Sequence, residues 1–354
     1  MFRNRAISGN ITLIEALKKM DELDKKLLIL MNNDIFEGLL SAGDIQRAII
    51  DGRPLETPVS EVTRKNIKTG FPGESMDDIR HLMSVYRMEF YPIVNQDRKI
   101  EEIYFWEDLF VEKEELHDHF DLPVVIMAGG LGTRLRPLTN VIPKPLVPIG
   151  EKTMLEEIFE QFSKYGCTEF HLSVNYKADL IKYYLSEQQL PYTISYIQEE
   201  KPLGTAGSLK LLKGKLNRTF FVNNCDIIIR DDYAAMLKYH RENKNDITLI
   251  AAIKSYPIPY GTVISGENGQ LLELKEKPDL NFLINSGMYL LEPHLLEEIP
   301  DNVVYHLPDL IQSVKSSGGK VGVFPVSEKS WIDIGDWSEY LGKVIPSHRD
   351  HTNS

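Results

Sequence analysis

Apolar positions along this chain follow two different rhythms. Over residues 1–117 the pattern makes two similar passes of amphipathic helix, apolar strand, short strand and helix. In the first pass, residues 12–21 read as a helix. Leu27-Leu28-Ile29-Leu30 and residues 36–40 follow as strands, and a second helix begins near Ser41-Ala42-Gly43-Asp44. The second pass repeats this order: a helix at 75–87, strands at Tyr91-Pro92-Ile93-Val94 and 99–106, and a helix starting near Glu107-Asp108. A duplication on this scale predicts a pseudo-symmetric α+β module in which each half covers the other's apolar face.

From residue 122 the rhythm changes. Leu122-Pro123-Val124-Val125-Ile126-Met127-Ala128 is a short apolar run rich in β-branched residues that ends at glycine, the pattern of a buried parallel strand. Further strands are expected at 169–174, 193–198, 219–223 and 247–253. They alternate with helices at 153–165, closed by Gly166, and at 177–187, 206–212 and 233–243. That alternation predicts an α/β domain with a doubly wound, mostly parallel sheet whose ligands lie beyond the carboxyl ends of the strands. The expected organisation is a smaller α+β domain at 1–117, a linker at 118–122, a catalytic domain at 123–345 and a disordered tail at 346–354.

Composition narrows the function. A length of 354 residues suits two domains of unequal size. With 42% apolar and 26% charged residues, no apolar run long enough to span a bilayer and no signal core near Met1, the reading is a cytoplasmic protein without a membrane partner. A net charge of −12 argues against nucleic acid as a partner, because that affinity comes largely from cations on phosphates. Cys167 and Cys225 suit a reducing compartment and read as packing residues. His117 and His119 fall in the acidic stretch 107–121, read as a solvated connector, and receive no function.

Candidate chemistry begins directly after the first strand of the second segment. Gly129-Gly130-Leu131-Gly132-Thr133-Arg134-Leu135-Arg136-Pro137-Leu138-Thr139 is followed by Pro143-Lys144-Pro145. Glycines let the backbone approach a triphosphate and turn its N–H groups toward anionic oxygens. The third glycine of a dinucleotide fingerprint is missing, and so is the Gly-Lys-Ser/Thr ending of an ATPase loop. Those absences count against an oxidoreductase. Farther along, Asp226 follows the strand at 219–223, and Trp331-Ile332-Asp333-Ile334-Gly335-Asp336 gives a second carboxylate framed by apolar residues. Magnesium commonly takes one or two protein carboxylates and leaves its other positions to phosphate and water. Asp336 reads as the N-cap of a helix at 337–344.

Together, the stretch from Ala128 to Thr139 and Pro143-Lys144-Pro145 resemble the signature of the sugar-1-phosphate nucleotidyltransferases, and the resemblance runs over nearly all of 122–345. It implies an enzyme in which a sugar 1-phosphate attacks the α-phosphate of a nucleoside triphosphate. Ala128, Gly129, Gly130, Gly132 and Thr133 would wrap the nucleotide, Arg134 would bind the leaving pyrophosphate, and Lys144 would contact the phosphates at the reacting centre. Asp226 and Asp333 would bind Mg²⁺, with Asp226 also counted among the catalytic residues. Gln198 and Gly204, in a segment that continues Pro202-Leu203-Gly204-Thr205-Ala206-Gly207, are similar to the part that reads the nucleobase. Gly261, Glu276, Lys277 and Asn285 are similar to the sugar-contacting residues, although Glu276 and Lys277 taken alone are members of a charged hairpin at 273–279.

The first segment resembles a tandem pair of CBS domains, in which Ser41, Asp44 and Asp108 would face a cleft for an adenosine nucleotide. A capping box, with Ser41 at the N-cap and Asp44 at N3, accounts for the same spacing without a ligand. The fusion is similar to guanylyltransferases of nonulosonic (legionaminic) acid pathways, which implies GTP with a hexosamine 1-phosphate. CBS stacking implies a homodimer. The alternative reading is a nucleotide-sensing regulatory subunit whose transferase fold has lost its chemistry.

Overall fold

The computed structural model describes residues 2–33, 35–65, 67–86, 88–109, 118–335, 337, 340 and 341. Asp336, most of the expected helix at 337–344, much of the acidic connector and the tail at 346–354 lie outside the described residues. The chain divides into two compact units, Met1–Leu116 and His117–Ser354.

In the first unit, Thr12 opens the helix Leu13–Leu23 with a capping box: its hydroxyl accepts from the Glu15 N–H, and the Glu15 carboxylate accepts from the Thr12 N–H at 2.7 Å. Two orphan donors at the helix start are thereby satisfied. Strands Leu27–Asn32 and Ile35–Ser41 pair antiparallel, and the short strand Ala6–Ile7 adds parallel to the former. The second pass gives the helix Met76–Tyr86, the antiparallel pair Phe90–Val94 and Ile100–Phe105, and the short helix Trp106–Leu109. Leu27, Ile29, Phe36 and Leu39 from the first pass share one buried cluster with Ile103 and Phe105 from the second. The two passes thus cover each other's apolar faces.

The second unit is built on a seven-stranded sheet. Across the sheet the strands run Thr193–Gln198, Glu169–Val174, Val124–Met127, Phe220–Asn224, Asp279–Leu291, Ile247–Pro257 and Val321–Val326. Every neighbouring pair is parallel except those made by Asp279–Leu291, which lies antiparallel to both of its neighbours. This strand escapes the sequence reading because its first half is largely exposed and only Ser286–Leu291 is continuously buried, so no strand period spans it. Val125, Phe220, Val222, Tyr289 and Leu291 share a core with Leu307 and Leu310 of the helix Leu307–Ser316. Burying each large apolar side chain of this kind contributes about 1.5–3 kcal/mol.

Where the sequence predicts one helix at 206–212, the structure has a single α-turn, Gly204–Gly207, followed by a 3₁₀ stretch, Ser208–Leu212. The small residues admit a crossing backbone: Ala206 and Gly207 N–H groups donate to the Tyr305 carbonyl at 3.0 and 2.9 Å. Among the described residues no helix is long and apolar enough to cross a membrane.

Candidate active site

Parallel strands in register bring their carboxyl ends to one edge. Met127 pairs with Asn224 on one side and Ser173 on the other, and Val174 pairs with Gln198. The chain leaving each strand therefore emerges beside its neighbours. Buried Ala128 anchors the glycine loop, its N–H donating to the Ser173 carbonyl at 2.8 Å.

The glycines that follow serve different ends. A Cβ on Gly129 would stand 3.0 Å from Oε1 of Glu199 and 3.3 Å from the Asn175 Cβ. At Gly130 a side chain would meet open space. Gly132 has φ +62°, and a Cβ there would press on Thr139 Cγ2 at 2.9 Å and the Lys144 Cβ at 3.1 Å. Only glycine takes this left-handed backbone in so tight a place without strain. The Thr139 hydroxyl closes the bend by donating to the Gly132 carbonyl at 2.8 Å, and Thr133 starts the 3₁₀ turn Thr133–Leu135. Lys177 holds the far side of the loop, its ammonium donating to the Asn140 and Val141 carbonyls at 2.6 and 2.8 Å.

Four charged side chains from distant parts of the sequence converge next to this loop. The Lys144 ammonium bonds the Asp226 carboxylate, and both side chains are close to fully buried. Asp226 precedes the short strand Ile227–Ile229, which pairs antiparallel with Trp331–Asp333, so that Asp333 sits opposite Ile227. The Ile334 N–H donates to the Asp226 carbonyl at 3.0 Å, which ties the two acidic segments together. Around Gly335, the position a Cβ would take is 2.7 Å from Asp333 Oδ1 and 3.1 Å from an Arg134 guanidinium nitrogen. Burial pushes the Asp333 carboxyl above the usual carboxylate range, and the charge of Asp226 adds to the shift. The Gly335 N–H and the cations Lys144 and Arg134 oppose it.

Two carboxylates whose charges act on each other in this way form a hard-oxygen pair suited to a divalent cation. Among the described residues no group of three or more His, Cys, Asp or Glu side chains converges, so phosphate and water would supply the rest of a coordination sphere.

Asn285 belongs to the same neighbourhood. Its carbonyl oxygen accepts from the Gly287 N–H at 3.1 Å, Gly287 has φ +88°, and a Cβ there would be 2.6 Å from the Asn224 amide. The Trp331 indole donates to the Ser286 carbonyl at 3.2 Å, joining this bend to the segment that carries Asp333. Gly261, Glu276 and Lys277 form a separate group at the root of an exposed hairpin. There the Gly261 Cβ position is 2.9 Å from Glu276 Oε2, and Lys277 adopts φ +46°. Gly204, with φ +78°, lies where a Cβ would be 2.5 Å from the Tyr305 carbonyl oxygen.

Gln198 faces away from the loop: its side chain is exposed and accepts from Lys182 at 2.8 Å. Its neighbour Glu199, which the sequence reading passes over, is the residue against Gly129. Glu199 is buried, accepts from the Ser173 hydroxyl and from the Leu203 N–H at 2.9 Å, and its carbonyl accepts from the Asn175 amide at 2.8 Å. Side chains alternate in direction along a strand, so choosing the adjacent residue selects the opposite face. Two acidic residues, Glu199 and Glu200, follow the strand, and only Glu199 is in step with the buried Ile197; that alternation is the signal that identifies it.

In the first unit, Ser41 and Asp44 form the capping box of the helix Ala42–Ile50: the Ser41 N–H and hydroxyl donate to Asp44 Oδ2 at 2.8 and 2.6 Å. Asp44 is buried and also accepts from Arg47 and Arg64, and Arg64 reaches the Ser41 hydroxyl at 2.8 Å. Ser41 and Asp44 are thus engaged within the fold. Asp108 lies in the helix Trp106–Leu109, and its side chain is outside the described residues.

Comparison with known proteins places this arrangement. Residues 123–344 match the family described as nucleotidyl transferase. The mannose-1-phosphate guanylyltransferase catalytic subunit beta of Dictyostelium discoideum is 35% identical over 227 residues, 62% of this chain and 63% of that protein. The mannose-1-phosphate guanyltransferase beta-A of Xenopus laevis is 32% identical over 228 residues, with the same coverage. The match therefore spans a little under two thirds of the length of these curated relatives. Among solved structures, HddC from Yersinia pseudotuberculosis aligns with a TM-score of 0.50 and 28% identity, over 63% of this chain and 98% of that one. It has also been solved complexed with GMP-PN, at a TM-score of 0.50 and 27% identity. Through residues 123–344, with the glycine loop and the converging Arg134, Lys144, Asp226 and Asp333, this chain belongs to the nucleotidyl transferase family.

Proposed function

We propose that this protein transfers a nucleotidyl group from a nucleoside triphosphate to a sugar 1-phosphate. A phosphate oxygen of the sugar phosphate attacks the α-phosphorus, the new P–O bond forms, the bond to the β-phosphate bridge breaks, and pyrophosphate leaves with the electron pair. The observation that carries this reading is the meeting of Lys144, Arg134, Asp226 and Asp333 beside the glycine loop at the carboxyl ends of parallel strands. Two anionic reactants repel one another, and fixed cations in a partly dry site reduce that repulsion without reorganising. The amides of 129–133 receive the triphosphate, Arg134 draws the pyrophosphate, and Lys144 neutralises charge at the reacting phosphate. Positioning and charge stabilisation do most of the catalytic work in phosphoryl chemistry of this kind. Asp226 and Asp333 would hold Mg²⁺, which when bound supplies further neutralisation of the triphosphate.

The nucleotide we favour is GTP. Glu199 offers a buried carboxylate beside Gly129 with lone pairs beyond those used by Ser173 and Leu203, and guanine presents an amino donor on the edge where adenine has none. The similarity to mannose-1-phosphate guanylyltransferases and the GMP-PN complex of HddC support the same base. Gly261, Glu276, Lys277 and Asn285 would contact the sugar, for which a hexosamine 1-phosphate is our reading. We assign the first unit to a regulatory CBS pair that takes an adenosine nucleotide, and the whole to the cytoplasm. The test is a matrix of nucleoside triphosphates against sugar 1-phosphates with Mg²⁺, following pyrophosphate release, repeated with AMP or ATP added. No turnover with any combination would end the catalytic reading. Unchanged rates and no thermal shift with adenosine nucleotides would end the regulatory one.

A further inference from the structure

The strand Phe220–Asn224 carries a residue that its surroundings do not favour. Phe220, Phe221, Val222 and Asn223 are all buried, and Asn223 lies in register between Ile126 and Met288. Phe221, two positions earlier and on the same face, packs against the rings of Phe162 and Tyr233 at 5.2 and 6.0 Å. Asparagine is depleted in strands, and a wholly buried amide is costly unless each polar atom finds a partner. Asn223 meets only half of that demand. Its Nδ2 donates to the Asn224 and Ile227 carbonyls, both at 2.9 Å, whereas Oδ1 is buried and accepts from no group among the described residues. An apolar side chain of the same shape would fill the position without an orphaned oxygen. What asparagine adds over such a side chain is the pair of donors.

Those donors close a turn on which several parts of the site converge. Residues 224–227 link Phe220–Asn224 to Ile227–Ile229, and the two carbonyls held by Asn223 stand at the ends of that turn. Between them, the Cys225 N–H donates to the Met127 carbonyl at 3.3 Å, just ahead of the glycine loop, and the Asp226 carbonyl accepts from the Ile334 N–H at 3.0 Å. The Asn224 amide abuts Gly287, 2.6 Å from where a Cβ there would stand. From the middle of the turn the Asp226 carboxylate reaches the Lys144 ammonium. A turn pinned at both ends leaves its middle little freedom, so the brace and the direction of the carboxylate are coupled.

We propose that Asn223 is a positioning residue for nucleotidyl transfer: its amide, by bridging the ends of the turn 224–227, aims the Asp226 carboxylate at the reacting centre. This role rests on the transfer reading above, and one arm of the experiment is independent of turnover. Asn223→Leu keeps the branching of the side chain and removes both donors. At saturating nucleotide, sugar phosphate and Mg²⁺, kcat for pyrophosphate release is expected to fall by about 10- to 100-fold, the scale of a small misplacement of a reacting group. KM for the nucleotide should stay within about threefold and Tm within a few degrees of wild type, because a loss of fold would move all three together. The second arm is iodoacetamide labelling of the full chain without substrates, located by peptide mass. Cys225, inside the turn, and Cys167, outside it, are both buried. Cys225 should label faster in the variant by about tenfold or more while Cys167 keeps its wild-type rate, since a locally opened turn exposes one thiol and global unfolding exposes both. Asn223→Ala, which needs no room for a larger side chain, should give the same selective labelling should the leucine variant not fold. A folded variant with kcat within threefold of wild type, an unchanged Cys225 rate, or equal acceleration of both cysteines would each overturn the role. A wild type without turnover ends the transfer reading, and the labelling ratio then still decides whether Asn223 holds the turn.

Discussion

The ammonium of Lys144 rests on the carboxylate of Asp226, a residue 82 positions further along the chain. Lys144 comes from the 3₁₀ turn Lys144–Leu146 that follows the glycine loop, Asp226 from the end of a parallel strand, and both side chains are nearly buried. The pair fixes the separation between the cation proposed to bind phosphate and the carboxylate proposed to hold the metal. Lys144→Ala leaves Asp226 buried beside Asp333 without its cation. We expect kcat/KM for pyrophosphate release to fall by about 10²–10³, the usual effect of deleting one preorganised group at a site of developing charge. A variant within threefold of wild type would remove Lys144 from the mechanism.

Asp333 carries a stability cost at the proposed metal site. Its carboxyl titrates above the usual range because of burial and the nearby Asp226 charge, so its ionised form opposes the fold at neutral pH. Asp333→Asn is expected to raise Tm by a few degrees while abolishing Mg²⁺-dependent turnover. Stability is read by thermal denaturation without metal, and a lowered Tm would contradict this account.

Two glycines with similar backbone angles should respond unequally to a methyl group. Gly204 and Gly214 have φ of +78° and +75°, but a Cβ on Gly204 meets the Tyr305 carbonyl at 2.5 Å, whereas one on Gly214 meets nothing within 4 Å. Gly214→Ala should cost only the left-handed backbone penalty, about 1–2 kcal/mol. Gly204→Ala adds a backbone collision and should cost more, raising KM for the nucleotide as the 202–207 segment shifts. Urea midpoints of the two variants side by side decide the matter; equal losses would mean that the 303–305 crossing yields easily.

Glu199 should govern the choice of base. A site that loses one hydrogen-bonding partner typically gives up about 1–3 kcal/mol of discrimination. Glu199→Gln should therefore bring the GTP-to-ATP ratio of kcat/KM down by about 10- to 100-fold. Gln198→Ala, on the exposed face, should leave that ratio alone. The reverse pattern would restore Gln198 as the reader.

In the first unit, Asp44 predicts an acid limb. Burial alone would raise its pKa, but the Ser41 hydroxyl and N–H together with Arg64 outweigh it and hold the carboxyl below its ordinary value. A folded pKa below the unfolded one gives stability that is present above about pH 3.9 and is lost as pH falls through the folded value. Asp44→Asn should therefore destabilise the first unit at neutral pH and close the gap to wild type below about pH 3.9. Urea midpoints across that range provide the check; a gap that widens in acid would reverse the sign.

Local features of this protein were legible in its sequence because short-range physics sets them. The Ser41–Asp44 capping box, the strands Glu169–Val174 and Thr193–Gln198, and the glycine loop depend on a few neighbouring residues, whose spacing carries the information. Tertiary packing alone decided the rest. It turned Glu199 toward Gly129 and Gln198 away, inserted Asp279–Leu291 antiparallel into a parallel sheet, and joined Asp226 to Asp333 through a two-stranded ladder. Which face a strand-end residue presents, and which distant strand fills a gap in a sheet, follow from register and from burial shared across the whole unit. No local window of the chain contains either quantity.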